Sequence, residues 1–180
     1  KTENHVPSLA VKTLNVTKTN VIEKGIGQLL SESQFKAALK RYFADVKFDL
    51  ILYSTPPITL TKVIQYAKKR NPNAIAYLML KDIFPQNAVD LGMLSTKGIK
   101  GLLYRSFRQK EKELYRVSDY IGCMSPANVK YVLAHNSEVN PTIVEIAPNS
   151  CDVQTDIRKV DARAVRSKYG LPTEKPIFIY

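Results

Sequence analysis

The sequence contains few of the residues that build metal sites and disulfide frameworks. It has only two cysteines, Cys123 and Cys151, and two histidines, His5 and His135. The cysteines are far apart and lack the short spacing of a zinc-ligand pair. The pattern is therefore not that of a zinc-binding or disulfide-stapled domain. We expect a cytoplasmic protein with two incidental thiols.

Long apolar runs and the best-marked catalytic motifs are also missing. No apolar run approaches the roughly 20 residues that a bilayer-spanning helix needs, and there is no internal repeat or low-complexity tract. The sequence contains no P-loop, no HExxH and no Gly-x-Ser-x-Gly elbow. These absences argue against a membrane-spanning protein, a P-loop nucleotidase, a zinc protease and a serine hydrolase of the common type.

Acidic residues are scarce relative to basic ones. The 180 residues include 27 Lys and Arg against 16 Asp and Glu, which gives a formal net charge of +11 at pH 7. Such an excess favours an acidic partner: nucleic acid, an anionic membrane surface or a phosphorylated ligand. Hydrophobic residues make up 44% of the chain, enough for the core of one domain, or of one domain and a fragment.

Short apolar runs alternate with amphipathic helical patterns along the chain. Strands are predicted over 49–54, 74–80, 120–124 and 142–147, and helices over 35–46, 60–70, 97–118 and 126–135. Before them we predict an irregular strand from Leu9 to Val16 and a loop through Gly25 and Gly27. The alternation predicts an α/β fold: a Rossmann-like open parallel sheet with helices on both faces.

Polar residues gather where the predicted strands end. Because the carboxyl ends of parallel strands meet at one edge of a sheet, we expect these residues to line a single crevice: Ser54, Thr55, Lys81, Asp82, Ser125, Asn149 and Ser150. Asp82 is the first carboxylate after the strand 74–80. It could bind a ligand, or it could cap the segment that follows. Phe84 could form a ligand platform or anchor a turn.

The helix predicted over 97–118 carries both basic and large apolar side chains. Cations that could contact an anionic membrane are Lys97, Lys100, Arg105 and Arg108. Alternatively, the apolar side packs on the sheet and the cations are solvated. Nucleic-acid binding is the weaker interpretation, because the cations are scattered over helices and no RNA- or DNA-reading motif is present.

Four stretches together resemble a known family: residues 49–59, 81–86, 118–121 and 146–152. They are similar to the N-terminal half of bacterial family-four glycosyltransferases, in the branch that builds capsule, colanic-acid-type and O-antigen polysaccharides. The most specific stretches are Ser-Thr-Pro-Pro at 54–57 and Asp-Ile-Phe-Pro at 82–85. Pro-Asn-Ser-Cys-Asp at 148–152 resembles the family's Pro-Asn-Gly-(Val/Ile)-Asp, with Ser150 in place of glycine. The resemblance covers about residues 11–180.

This resemblance implies one half of a two-domain GT-B architecture. Residues 1–152 would form the acceptor-binding domain, 153–175 a connector, and 176–180 the start of the donor domain. Asp82 lies at about the place of a histidine that many relatives carry, which suggests a catalytic role. The other strand-end residues and Phe84 would line the acceptor cleft. Without the donor domain, we expect the chain alone to be inactive.

The implied reaction is retaining transfer of a sugar from a nucleotide-diphosphate donor to a lipid-linked saccharide. It would need neither a metal nor a cofactor, and the donor would bind mainly to the C-terminal domain. The protein would then sit peripherally at the inner face of the plasma membrane, in surface polysaccharide synthesis. The alternative is a non-catalytic Rossmann-like module that binds nucleotides or acidic ligands.

Overall fold

The computed structural model describes residues 2–3, 6–13, 21–150 and 161–177, and in the first helix it describes side chains from Leu30 onward. Predictions on Val16, Cys151 and the strand at the end of the chain fall wholly or partly outside these residues. The chain divides into two compact units, Lys1–Pro148 and Asn149–Tyr180. The division lies close to the boundary predicted at residue 152, while the assignment of each part to a domain of known function stays a prediction.

The first unit contains a four-stranded parallel sheet, whose strands are adjacent in the order in which they occur along the chain. The predicted α/β fold, with an open parallel sheet flanked by helices, is confirmed. The elements of this unit are β1 (Thr2–Glu3), β2 (Val6–Pro7), α1 (Val21–Tyr42), β3 (Leu50–Thr55), α2 (Thr61–Arg70), β4 (Ile75–Leu80), α3 (Gln86–Asp90), α4 (Gly98–Val117), β5 (Tyr120–Cys123), α5 (Pro126–His135) and β6 (Val144–Ile146). β1 and β2 form a separate antiparallel pair. The second unit contains α6 (Ala162–Lys168).

The N-terminal part of the prediction is wrong in two places. α1 begins at Val21, so Gly25 and Gly27 lie inside a helix and not in a loop. Each glycine costs about 1 kcal/mol relative to alanine in a helix, a penalty that lowers helix stability without forbidding the helix. The strand predicted from Leu9 to Val16 is not formed in its described part, residues 9–13.

The last strand of the sheet is shorter than predicted because a 3₁₀ turn, Pro141–Ile143, precedes it. The side chain of Asn140 accepts a hydrogen bond from the Thr142 amide at 3.0 Å and caps this turn. Pro141 has no amide hydrogen to donate to a neighbouring strand, so pairing starts only at Val144.

The hydrophobic core lies between the sheet and the helices α2, α4 and α5. Leu78 and Ile121 of the sheet are fully buried in one cluster with Ile64, Leu114 and Val132 of those helices. Burial of each such side chain contributes about 1.5–3 kcal/mol, so this face fixes the positions of the helices.

The helices cover the two faces of the sheet unequally. On the face opposite the core, Leu50 and Leu52 are 53% and 57% exposed, and Ile75 and Tyr120 are also exposed. These residues alternate along the strands with buried neighbours, as the two-residue period of a strand requires.

The strands end level with one another at the carboxyl edge of the sheet. Thr55 pairs in register with Leu80, Leu80 with Cys123, and Cys123 with Ile146. The loops that follow β4 and β5 therefore leave the sheet side by side, and the side chains they carry can form a common site.

Candidate functional site

A polar cavity of about 220 Å³ opens at this carboxyl edge. It is lined by the loop after β4, by α3 and by the first turns of α5: Lys81, Asp82, Ile83, Gln86, Asn87, Asp90, Asn128 and Tyr131. Pockets for drug-sized ligands measure roughly 300–1,000 Å³. The cavity is therefore of a size for one small polar group or ring, and not for a whole nucleotide.

Asp82 is held through its backbone, and its exposed carboxylate has no hydrogen-bond or ion-pair partner among the described residues. The buried hydroxyl of Thr55 donates to the carbonyl oxygen of Asp82 at 3.2 Å, and the Asp82 amide donates to the Thr55 hydroxyl oxygen at 3.5 Å. The helix that follows, α3, has Pro85 at its N-cap and no side-chain cap. The capping alternative for Asp82 is therefore not what the structure shows, and the exposed carboxylate is positioned to meet a ligand.

Gln86 links the cavity wall to α4. Its Nε2 donates to Asp90 Oδ1 at 2.8 Å, and its Oε1 accepts from the hydroxyl of Tyr104 at 3.3 Å. Asn87, the next residue, has a buried Oδ1 with no hydrogen-bond partner in the described part of the chain. A buried acceptor without a donor is costly, by about 1–3 kcal/mol, so this oxygen is suited to accept from a ligand.

Ser125 acts on the cavity through Asn128. Ser125 caps α5: its hydroxyl oxygen accepts from the Asn128 amide at 3.2 Å. The same hydroxyl donates to Asn128 Oδ1. Because the oxygen of the Asn128 side chain is occupied, its NH₂ group remains as a donor toward the cavity.

Tyr131 supplies a neutral hydroxyl and an aromatic ring. Burial raises the pKa of Tyr131, and the nearby Tyr104 adds to the increase. The ring of Tyr131 stacks on His135 with centroids 3.9 Å apart. The Tyr131 side chain is thus fixed against its own helix, and the hydroxyl stays protonated at neutral pH.

Several predicted cleft residues lie elsewhere. Ser54 pairs in register with Met79, on the face of the sheet opposite the core, and it does not line the cavity. Phe84 packs edge-on against Phe107 of α4, with ring centroids 5.1 Å apart, and so anchors the turn. Asn149 and Ser150 belong to the second unit. Their role in acceptor binding stays a prediction.

Six lining residues were not named as site residues from the sequence: Ile83, Gln86, Asn87, Asp90, Asn128 and Tyr131. For the last three a sequence signal was present. Asp90 follows Gln86 by four residues, a spacing that places both on one face of a helix. Asn128 lies three residues after the predicted crevice residue Ser125, and Tyr131 lies one turn beyond Asn128.

The predicted membrane-contact residues divide into two groups. Lys97, Lys100 and Arg105 are exposed. Between and before them, large apolar side chains also face solvent: Ile99 is 87% exposed and Leu91 is 71% exposed, and Met93, Leu102 and Leu103 are exposed as well. We call residues 91–105 the apolar–basic segment.

Arg108 differs from the other three cations because an internal network occupies its guanidinium. It pairs with the buried carboxylate of Glu111 and donates to Asn136 Oδ1 at 2.6 Å and to the His135 carbonyl at 2.8 Å. Arg108 therefore joins α4 to the end of α5, a structural role. None of the described helices is both long and apolar enough to cross a membrane.

Within the described ranges, no three His, Cys, Asp or Glu side chains are grouped so that they could hold a metal ion. No protein-family model matches the sequence, and no curated protein is similar enough to count as a match. The function is therefore inferred from the cavity, from the apolar–basic segment, and from the resemblance of the strand-end stretches.

Proposed function

We propose that this chain is the acceptor-binding half of a retaining glycosyltransferase that acts at a membrane surface in the synthesis of surface polysaccharides. The donor, a nucleotide-diphosphate sugar, would bind mainly to a second domain. The acceptor would be a saccharide, carried on a lipid, whose terminal sugar enters the cavity at the carboxyl edge of the sheet.

The observation that carries the proposal is the free carboxylate of Asp82 in a small cavity rich in amides and carboxylates. Sugars present several hydroxyl groups, each of which can donate and accept hydrogen bonds. The side chains of Asp82, Asn87, Asp90 and Asn128 offer both acceptors and a donor at this edge. The strand ends beneath them are rigid, and Thr55 fixes the backbone of Asp82.

In the transfer reaction, the oxygen of the acceptor hydroxyl forms a bond to the anomeric carbon of the donor. The bond from that carbon to the nucleotide diphosphate breaks, the diphosphate leaves with the bonding electrons, and the proton of the attacking hydroxyl ends on the departing diphosphate. The role proposed for Asp82 is to accept a hydrogen bond from the attacking hydroxyl and so to orient it. A carboxylate so placed also stabilises positive charge that develops on the hydroxyl as it attacks.

The apolar–basic segment supports the membrane part of the proposal. Exposed apolar side chains such as Ile99 and Leu102 lie beside Lys97, Lys100 and Arg105 in the same stretch of chain. Apolar groups that enter the headgroup region, with cations at the lipid phosphates, are typical of proteins that lie on anionic membranes. The segment follows α3, which forms a wall of the cavity, so a docked membrane would bring a lipid-linked acceptor close to Asp82.

The alternative function, a non-catalytic module that binds nucleotides or acidic ligands, is favoured by the net charge of +11. NMR titration of the 180-residue chain separates the two. Methyl glycosides should shift amide signals around Lys81, Asn87 and Asn128, whereas uridine diphosphate should leave them unmoved.

The matched variants are Asp82→Asn and, as a control at the opposite edge of the sheet, the exposed Asp45→Asn. The first should weaken glycoside binding at least about threefold, as expected for loss of a charged hydrogen-bond acceptor, and the second should not change it. Shifts around the cavity produced by uridine diphosphate, with none produced by glycosides, would favour the alternative function.

A further inference from the structure

We infer that the cavity selects an uncharged or amino-bearing sugar and rejects an anionic one such as a uronic acid. This inference rests on the proposed function and names the substrate class of the same site. Its basis is the charge of the lining, which runs opposite to that of the whole chain. Two acidic residues, Asp82 and Asp90, line the cavity with one lysine, Lys81, although the chain as a whole carries a net charge of +11.

The acceptors in the cavity are arranged to meet donors. Asn87 Oδ1 is buried without a partner in the described part of the chain, and the carboxylate of Asp82 caps no helix. Asn87 Oδ1 thus lacks a hydrogen-bond donor among the described residues, and the exposed Asp82 carboxylate is open to one. A sugar hydroxyl or an ammonium group can supply one, whereas the carboxylate of a uronic acid accepts only.

The second carboxylate is oriented by its neighbours. Gln86 Nε2 donates to Asp90 Oδ1, and Tyr104 in turn holds Gln86 from α4. One oxygen of Asp90, a residue that lines the cavity, is thereby fixed. A ligand carboxylate brought into this cavity would meet two like charges at close range, with one lysine to offset them.

The test compares two ligands that differ only at carbon 6: methyl glucoside and methyl glucuronide. Both are titrated into the 180-residue chain, and binding is followed by NMR at the amides of the cavity residues. We expect the glucoside to bind at least about fivefold more tightly than the glucuronide, the effect of roughly one unscreened like charge at short range. The methyl glycoside of glucosamine should bind at least as tightly as the glucoside.

Variants then assign the selectivity to the cavity. Asp90→Asn keeps an acceptor for Gln86 and removes one charge, so the preference for the glucoside should fall by at least about twofold. Lys81→Met removes the cation and should increase the preference. Asp45→Asn makes the same charge change as Asp90→Asn at an exposed turn away from the cavity, and should leave the preference as it is.

The outcomes distinguish this inference from the proposal beneath it. Equal binding of the two ligands, or tighter binding of the glucuronide, overturns the charge selectivity and leaves the glycosyltransferase proposal standing. No binding of any of the three glycosides overturns both. A preference for the glucoside that Asp90→Asn and Lys81→Met do not change would place the selectivity outside this cavity, and so overturns the assignment.

Discussion

The hydroxyl of Tyr77 on β4 donates a hydrogen bond to Glu145 on β6 at 2.6 Å, across the intervening strand β5. The ring can reach because the residue beneath it is Gly122: a Cβ built there would lie 3.0 Å from Tyr77 Cε1 and 2.7 Å from Ala147 Cβ. Burial and the bond to Glu145 raise the pKa of Tyr77 to about 12, so the hydroxyl remains a donor throughout the physiological range.

Gly122→Ala should therefore destabilise the protein by about 1–3 kcal/mol, the range for overpacking at a tight contact. The measurement is urea unfolding followed by circular dichroism. Tyr77→Phe serves as the comparison, because it removes only the hydrogen bond of a half-buried side chain and should cost about 1 kcal/mol or less. An unchanged urea midpoint for Gly122→Ala would show that the ring and Ala147 can move aside freely.

Arg108 and Arg105 should differ in their effects on stability although they lie on the same helix. Arg108→Ala leaves Glu111, which is 2% exposed, without its cation, and should lower the free energy of unfolding by about 2–4 kcal/mol. Arg105→Ala, at an exposed position, should change it by less than about 0.5 kcal/mol. Similar losses for the two variants would contradict the internal role assigned to Arg108.

Asp119 should make stability depend on acid pH. Partial burial raises the pKa of Asp119, but hydrogen bonds from the Ala76 amide at 2.7 Å and from Lys68 outweigh this effect and lower the pKa below its usual value. A carboxylate with a lowered pKa stabilises the fold above its unfolded pKa of about 3.9, and the contribution is lost as the pH falls through the folded pKa.

The corresponding variant is Asp119→Asn. At pH 7 it should be less stable than the wild type by about 1 kcal/mol, a modest value because the Asp119 side chain is 41% exposed and its charge is screened. Urea unfolding at pH 7 and at pH 3 should show this difference shrinking in acid. A difference that stays constant between the two pH values would rule out titration of Asp119 as its source.

Binding to anionic vesicles should depend on the apolar–basic segment. Lys100→Ala and Arg105→Ala should each weaken co-sedimentation with phosphatidylglycerol vesicles about fivefold, since a cation near such a surface is worth about 1 kcal/mol. Ile99→Ser should weaken it as well, through lost apolar burial. Lys69→Ala, an exposed cation on α2, is the control for net charge. If Lys69→Ala and Lys100→Ala weakened vesicle binding equally, the binding would depend on net charge and not on the apolar–basic segment.

The elements best predicted from the sequence are those with a local start or stop signal. Ser125 and Pro126 mark the beginning of α5, and the strand 74–80 ends at a charged pair, so both were placed within a residue or so. The prediction starts α1 too late, because Gly25 and Gly27 indicate a loop. Glycine lowers the stability of a helix, but the other residues of a 22-residue helix can offset this cost. Whether they do depends on the whole helix, and not on the residues next to the glycines.

In the candidate site, too, some residues can be predicted from the local sequence and others depend on the tertiary structure. Lys81 and Asp82 were found because they directly follow a strand, and topology alone places the residues after β4 and β5 at one edge. Whether Ser54 or Phe84 faces that edge depends on the register of the sheet and on the contact with Phe107, which involve residues distant in sequence. Likewise, only the tertiary fold distinguishes Arg108 from Arg105.

The exposed sheet face also determines how the protein behaves as a colloid. The exposed side chains of Leu50, Leu52 and Tyr120 form an apolar patch through which two molecules can associate. At low ionic strength, repulsion between molecules that each carry a charge of +11 opposes this association. At 0.1 M salt the repulsion reaches only about 10 Å, so dispersed protein should begin to cluster as salt is added. Dynamic light scattering across a salt series would detect the larger particles. Glycoside titrations are therefore best run in buffer of low ionic strength.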